Sequence, residues 1–225
     1  MLLLNLFNSS NLLVVLISIV VYLSVLFIVM PAHEFAHAWA AKSQGDYTAY
    51  HLKRYTLAPF AHIDTKGFLF LVLFGFGWAK PVPVDPRNYK HGRRSEVLVS
   101  LAGIIANLIQ GILFCGLYVA FSIFVPQTIS PYIGYAYTLF FYYGMIISFS
   151  LAFFNLLPMY PLDGFRVVEA VTKPNNSFVT FMKRHSFIMF LLFYFILSSL
   201  YFSYIVYPIA DGVLWLWQKF FGLFV

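Results

Sequence analysis

The sequence predicts an all-α polytopic membrane protein with one re-entrant or hairpin segment. Of its 225 residues, 61% are hydrophobic and only 10% are charged, whereas about a quarter of the residues of an ordinary soluble domain are charged. Four apolar blocks are long enough to cross a bilayer as helices, and a fifth is too short. We therefore expect a single integral-membrane domain over residues 1–225, with no separate soluble module.

The four long blocks give the predicted spans. A transmembrane helix needs about 20 predominantly apolar residues. The long blocks cover residues 12–41, 97–125, 132–157 and 187–207. The last is followed by a shorter aromatic tail that runs to Val225. Since no Lys or Arg precedes Lys42, the first block lacks the basic region of a cleavable signal peptide, and we interpret it as a permanent span.

The short apolar block, GFLFLVLFGFGWA at residues 67–79, predicts a different structure. It is too short to span comfortably, and Gly67, Gly75 and Gly77 weaken a helix. A re-entrant loop or a hairpin that dips into the membrane is the expected form.

Basic residues predict the orientation. If the short block re-enters, all Lys and Arg residues from Lys42 to Arg184 lie on one face, which the positive-inside rule makes cytoplasmic. The first ten residues and the loop at 126–131 carry no charge and belong outside. The net charge of +6 thus has a topological explanation, and we expect no nucleic-acid partner. The single cysteine, Cys115, excludes an intramolecular disulfide and is expected to be a buried structural thiol.

The motif HEFAH, near the end of the first span, carries the predicted chemistry. His33 and His37 are four residues apart, so a helix projects them from one face, where two imidazoles can bind one zinc ion. Glu34 completes the H-E-x-x-H metalloprotease pattern. Ionisable groups at membrane depth are costly and usually functional. Two alternatives to a zinc site remain for these residues. They are polar side chains that hydrogen-bond to one another within a helix bundle, or part of a metal-ion or proton pathway. Pro31 predicts a kink or a loosened turn nearby.

Catalytic zinc usually has three protein ligands and one water, so a third ligand must come from elsewhere. The best candidate is Asp163 in the stretch NLLPMYPLDGFR. Pro158 and Pro161 disrupt the end of the span there, and Gly164 allows a close backbone approach. The alternative is an aspartate in an interfacial turn. His62 and Asp64 fall in a loop near Lys66, and we do not expect them to be ligands.

Together, HEFAH and NLLPMYPLDG resemble the site-2 protease family of intramembrane zinc metalloproteases. The stretches TLAPFAHID, GFGWAKPVPVDPRNY and LAGIIANL also resemble its small prokaryotic members, which lack a PDZ domain. The resemblance implies that His33, His37 and Asp163 bind one zinc ion and that Glu34 is the catalytic base. It also implies a core of three transmembrane helices, with the active site inside the bilayer toward the cytoplasm.

The same resemblance suggests a catalytic role for Asn107, whose family counterpart lies in a G-P-x-x-N pattern on the middle core helix. Ile104 stands where that proline usually lies. Asn107 is expected either to donate to a developing oxyanion or to form an interhelical hydrogen bond. Asn155 opens the second motif and is expected to act near the site or to stabilise the broken helix.

The resulting functional hypothesis is an intramembrane zinc endopeptidase of the prokaryotic cell membrane. Its expected substrates are transmembrane proteins or signal peptides within the lipid bilayer. An extended substrate segment is expected to pair with the block from Phe74 to Trp78, unless that block only plugs the bundle. A metal-ion or proton transporter and a non-catalytic scaffold remain the alternative functions.

Overall fold

The computed structural model describes residues 11–74, 77–125, 130–173 and 176–224. Its helices are α1 (Leu12–Ser43), α2 (Thr48–His51), α3 (Thr65–Phe74), α4 (Arg93–Phe124), α5 (Pro131–Leu156), α6 (Asp163–Val171), α7 (Ser177–Arg184) and α8 (Ser186–Phe221). Short 3-10 turns lie at Pro59–Ala61 and Pro86–Asn88. Among the described residues, α1, α4, α5 and α8 are long and apolar enough to cross a membrane. The predicted all-α polytopic architecture is confirmed.

Three of the four spans form the core. Helices α1, α4 and α5 all pack against one another, as the resemblance implies. Buried apolar side chains from each helix meet between them, including Val25, Val29, Cys115, Ile146 and Phe149. Cys115 is fully buried and lies against Met145, with 3.6 Å between the two sulfur atoms, so the thiol is part of the packing as predicted.

Helices α4 and α5 interlock through paired glycines and phenylalanines. A Cβ atom on Gly144 of α5 would lie 2.3 Å from Cδ1 of Phe114 on α4. A Cβ atom on Gly111 of α4 would lie 2.7 Å from Cε1 of Phe149 on α5. Each ring thus fills the space that a glycine leaves on the opposite helix. Small residues that allow backbones to approach in this way are the usual basis of helix packing in membranes.

Helix α8 packs against this core: Tyr201, Val206 and Ala210 join the buried cluster, whereas most other residues of the helix are exposed. Trp217 donates an indole hydrogen bond to the Ile112 carbonyl at 3.0 Å, and the Tyr201 hydroxyl donates to the Ser150 carbonyl at 2.5 Å. The apolar block at 187–207 lies in a helix long enough to span, as predicted, and this helix continues through the aromatic tail to Phe221. Its π-helical turns at Phe202–Val206 precede Pro208 and accommodate the missing backbone donor.

The short apolar block forms a hairpin. Helix α3 has ten residues and is only about 15 Å long, about half the thickness of the hydrocarbon core. Ile63 and Ala79 pair in an antiparallel bridge, and the Lys80 N–H donates to the His62 carbonyl at 2.8 Å. The two described ends of the block therefore lie together, as a hairpin requires, and a return on the same side of the membrane stays a prediction.

Several sequence predictions lie wholly or partly outside the described residues. They concern the first ten residues, most of the loop at 126–131, and residues 75 and 76 of the block proposed to pair with substrate.

Asp46 fixes the loop that joins the hairpin to α4. Its buried carboxylate accepts hydrogen bonds from the Thr48 N–H at 3.0 Å, the Asn88 amide at 2.9 Å and the Asp85 N–H at 2.7 Å. Burial opposes ionisation, but these hydrogen bonds outweigh it and hold the pKa of Asp46 below its ordinary value. The segment around residue 85 is therefore held firmly beside the end of α1.

The interlock between α4 and α5 gives a stability prediction. Gly144→Ala forces a methyl group into the Phe114 ring, so we expect a loss of about 1–3 kcal/mol in the free energy of unfolding. The thermal unfolding midpoint in detergent micelles should fall accordingly. Gly212→Ala is the matched control, since no described atom lies within 4 Å of its added Cβ. Equal midpoints for the two variants would show that the interlock is not tight.

Candidate metal centre

Three predicted ligands converge in the structure. The Nε2 atoms of His33 and His37 lie 3.0 Å apart, and Oδ2 of Asp163 lies 3.3 Å from the first and 3.1 Å from the second. Zinc ligands in a tetrahedral site lie about 3.3 Å from each other, given zinc–ligand distances near 2.0–2.1 Å. The two imidazoles and the carboxylate thus have the chemistry and the spacing of a zinc site.

Breaks in regular structure bring Asp163 to the histidines. Helix α5 ends at Leu156, residues 157–162 are not helical, and Asp163 is the first residue of α6. A Cβ on Gly164 would lie 2.1 Å from the Leu156 carbonyl oxygen, so only glycine allows this close approach. The predicted broken helix at this place is confirmed. The N-terminal end of α6 also favours the negative charge of the carboxylate.

All three ligand candidates are buried. His33, His37 and Asp163 are 8%, 9% and 8% exposed. The two histidines come ten and six residues before the end of α1, which is about 15 and 9 Å along the helix axis. The helix continues through Pro31, and the kink or loosened turn expected there stays a prediction.

The ring of His37 is oriented by a backbone carbonyl of α4. Nδ1 of His37 lies 2.7 Å from the Val99 oxygen. Because a carbonyl only accepts, the imidazole proton lies on Nδ1, and Nε2 presents its lone pair toward Asp163 and His33. This arrangement is typical of metal-binding histidines, whose second nitrogen donates to a carbonyl or carboxylate.

The ring of His33 contacts Asn107, which is fully buried. The amide nitrogen of Asn107 lies 3.0 Å from Nδ1 of His33. Asn107 is not among the residues that line the cavity beside Glu34. The interhelical hydrogen bond expected from the sequence is therefore present, and its partner is a ligand ring. A catalytic role at the oxyanion stays a prediction.

Glu34 lines the cavity that the three ligand candidates share, together with Asn155 and Arg166. Its Oε2 accepts a hydrogen bond from the Val82 N–H at 2.7 Å. Val82 lines the cavity together with Pro81 and Val84, and Arg54 holds this segment through a 2.8 Å hydrogen bond to the Lys80 carbonyl. No side-chain pattern in the sequence indicates this contact with Glu34.

The residues that we did not expect to be ligands lie elsewhere. His62 is buried, and its Nε2 lies 2.8 Å from the Thr56 carbonyl oxygen. The Asp64 carboxylate accepts from the Gly67 N–H at 2.8 Å. Neither side chain joins the group formed by His33, His37 and Asp163 among the described residues.

A stripe of α4 residues supports both imidazoles. Val99, Gly103, Asn107 and Gln110 follow at spacings of four, four and three residues and share one helical face. A Cβ on Gly103 would lie 2.4 Å from Nε2 of His37 and 2.6 Å from Cε1 of His33. Of these four residues only Asn107 was predicted from the sequence, although helical spacing from Asn107 also indicates the other three.

Gly103 gives a direct test of this packing. Gly103→Ala places a methyl group against both imidazole rings, so we expect the variant to lose most of its bound metal. The measurement is zinc content per chain after purification, with Gly212→Ala as the control that should retain it. A Gly103→Ala protein with full zinc content would mean that the rings do not occupy these positions when they bind metal.

The chain was compared with known proteins. The family model described as "Peptidase family M50" matches residues 119–198, which include Asp163. The chain is 34% identical over 201 residues to the Bacillus subtilis (strain 168) protein named "Putative zinc metalloprotease YwhC", and the match covers 88% of this chain and 86% of that protein. No solved structure matches the chain. The shared sequence over most of both chains shows that this protein belongs to peptidase family M50, the site-2 protease family.

Proposed function

We propose that this protein is a zinc endopeptidase that hydrolyses peptide bonds in or near transmembrane segments of membrane proteins. The observation that carries the proposal is the convergence of His33, His37 and Asp163 in one buried cavity with Glu34. Membership of a peptidase family and the printed name of the Bacillus subtilis relative support metalloprotease chemistry. The four described helices that are long and apolar enough to span a membrane, two of which carry His33, His37 and Asn107, support a substrate within the bilayer.

The donor set favours zinc. Imidazole nitrogens and one carboxylate are a common ligand set for catalytic zinc, which leaves a fourth position for water. When bound, zinc supplies a Lewis acid that activates this water and polarises the peptide carbonyl. Val99 and Asn107 of α4 contact the Nδ1 atoms of the two rings, so the orientation of the rings does not depend on the substrate.

Glu34 acts as the general base and then as the general acid. Its carboxylate takes a proton from the attacking water and returns it to the leaving amine. The Val82 N–H binds one carboxylate oxygen at 2.7 Å, which fixes the side chain at the wall of the cavity. A base held in this way is positioned before the substrate arrives.

We propose that the substrate is a transmembrane segment or a signal-peptide remnant that is locally unwound. A helix hides its carbonyls in backbone hydrogen bonds, so an extended segment must form before attack. The antiparallel bridge between Ile63 and Ala79 supports this idea, because extended backbone beside it would supply the partners that lipid lacks. With the basic loops cytoplasmic and the N-terminus outside, the site opens toward the cytoplasm of a prokaryotic cell.

The alternative is a metal-ion or proton transporter that uses the same side chains. Family membership does not favour it. The two functions differ in their need for Glu34. A protease requires this carboxylate for turnover, whereas a transporter that binds metal through His33, His37 and Asp163 has no need of a general base.

Glu34→Gln tests the proposal. We expect one zinc ion per chain, as in the wild type, and a fall in cleavage of transmembrane substrates by about 10²–10⁴-fold, because a general base contributes about that factor. The assay is cleavage of a panel of single-span proteins in liposomes, with zinc content measured in parallel. The matched control is Glu169→Gln, since Glu169 forms a surface ion pair with Lys183 and should be dispensable.

Two results would contradict the proposal. Undiminished cleavage by Glu34→Gln would remove Glu34 as the base. Zinc binding without cleavage of any substrate by the wild type, together with metal transport in liposomes, would support the transporter.

A further inference from the structure

Gln110 is a polar residue that the proposed chemistry does not use. It lies one turn beyond Asn107 on α4 and is half-buried. Its Nε2 atom lies 3.4 Å from Oδ1 of Asn107. Its Oε1 atom is buried and has no hydrogen-bond partner among the described residues. An amide inside a membrane-spanning helix is costly unless it is paired, so a role for this side chain needs explanation.

The contacts of Gln110 form a chain of hydrogen bonds that leads to a metal ligand. Gln110 donates to Oδ1 of Asn107, and the Asn107 amide nitrogen donates to Nδ1 of His33. An imidazole that accepts at Nδ1 carries its proton on Nε2. Nε2 of His33 lies 3.3 Å from Oδ2 of Asp163. Each group therefore donates to the next one, from Gln110 through Asn107 and His33 to Asp163.

Metal binding requires the opposite direction. A metal takes the lone pair of Nε2, so His33 must carry its proton on Nδ1 and donate it. Asn107 must then present Oδ1 to the ring, which a half-turn of its amide achieves because oxygen and nitrogen exchange places. Its Nδ2 now faces Gln110, and that nitrogen needs an acceptor because it is fully buried.

We propose that Gln110 is a positioning residue for the metal centre. Its amide turns with that of Asn107, so that Oε1 accepts from Asn107 and Oδ1 of Asn107 accepts from His33. Reversal of the Gln110 amide breaks no other hydrogen bond of its Oε1 atom within the described part of the chain. The chain then holds the Nε2 lone pair of His33 toward the metal. This inference rests on the proposed zinc site.

Two substitutions distinguish the effect of the Gln110 carbonyl acceptor from the effect of the length and shape of its side chain. Gln110→Met keeps a similar length and a good helix propensity but removes the carbonyl acceptor. Gln110→Glu keeps an oxygen that accepts from Asn107. Gln218→Met is the matched control, because Gln218 is an exposed glutamine on α8. The experiment measures the dissociation constant for zinc by chelator competition in detergent, and the thermal stability of the metal-stripped protein.

We expect Gln110→Met to weaken zinc binding by about tenfold, the lower end of the usual effect of groups that orient metal ligands. Gln110→Glu and Gln218→Met should have the zinc dissociation constant of the wild type. The metal-stripped Gln110→Met protein should have the same thermal unfolding midpoint as the metal-stripped wild type. A merely structural role would lower the stability of the stripped protein in parallel with the affinity.

Three results would overturn the inference. They are wild-type zinc affinity in Gln110→Met, an equal loss in Gln110→Glu, and a loss of affinity matched by a loss of stability in the stripped protein. Failure of the wild type to bind zinc would overturn the proposed function itself, and the inference with it, so the two failures are distinguishable.

Discussion

The close packing of α1 against α4 at Gly103 is the constraint on which the metal centre depends. Two imidazoles one turn apart on α1 need a surface that accommodates both rings, and only a residue without a side chain leaves that space on the facing helix. The same approach brings the Val99 carbonyl and Asn107 to the two Nδ1 atoms. A single helix contact therefore sets the position and the orientation of both histidines.

The second constraint is the end of α5. The chain stops being helical at residue 157 and resumes at Asp163, where Gly164 lies against the Leu156 carbonyl. The carboxylate reaches the imidazoles because this break turns the chain back into the bundle. Irregular backbone at membrane depth is tolerated only where it is buried in protein or lines a cavity, and here it lines the cavity that contains Glu34.

Much of this arrangement can be predicted from local sequence patterns. Block length predicted the four spans, the shortness of the fifth block predicted the hairpin, and the spacing of His33 and His37 predicted their shared face. Other features depend on contacts that are distant in sequence. The hydrogen bond between Val82 and Glu34 uses a backbone N–H, which no side-chain pattern reveals. Helix α8 continues past residue 207 to Phe221, with π-helical turns before Pro208, and hydropathy alone indicates neither feature.

The central claim is that two imidazoles and one carboxylate bind a single zinc ion inside the bundle. X-ray absorption spectroscopy of the zinc-loaded protein tests it most directly, because imidazole rings give a characteristic multiple-scattering signal. The account predicts four-coordinate zinc with two imidazole nitrogens and oxygen ligands at about 2.0–2.2 Å. A sulfur ligand, a single imidazole or an all-oxygen site would contradict it.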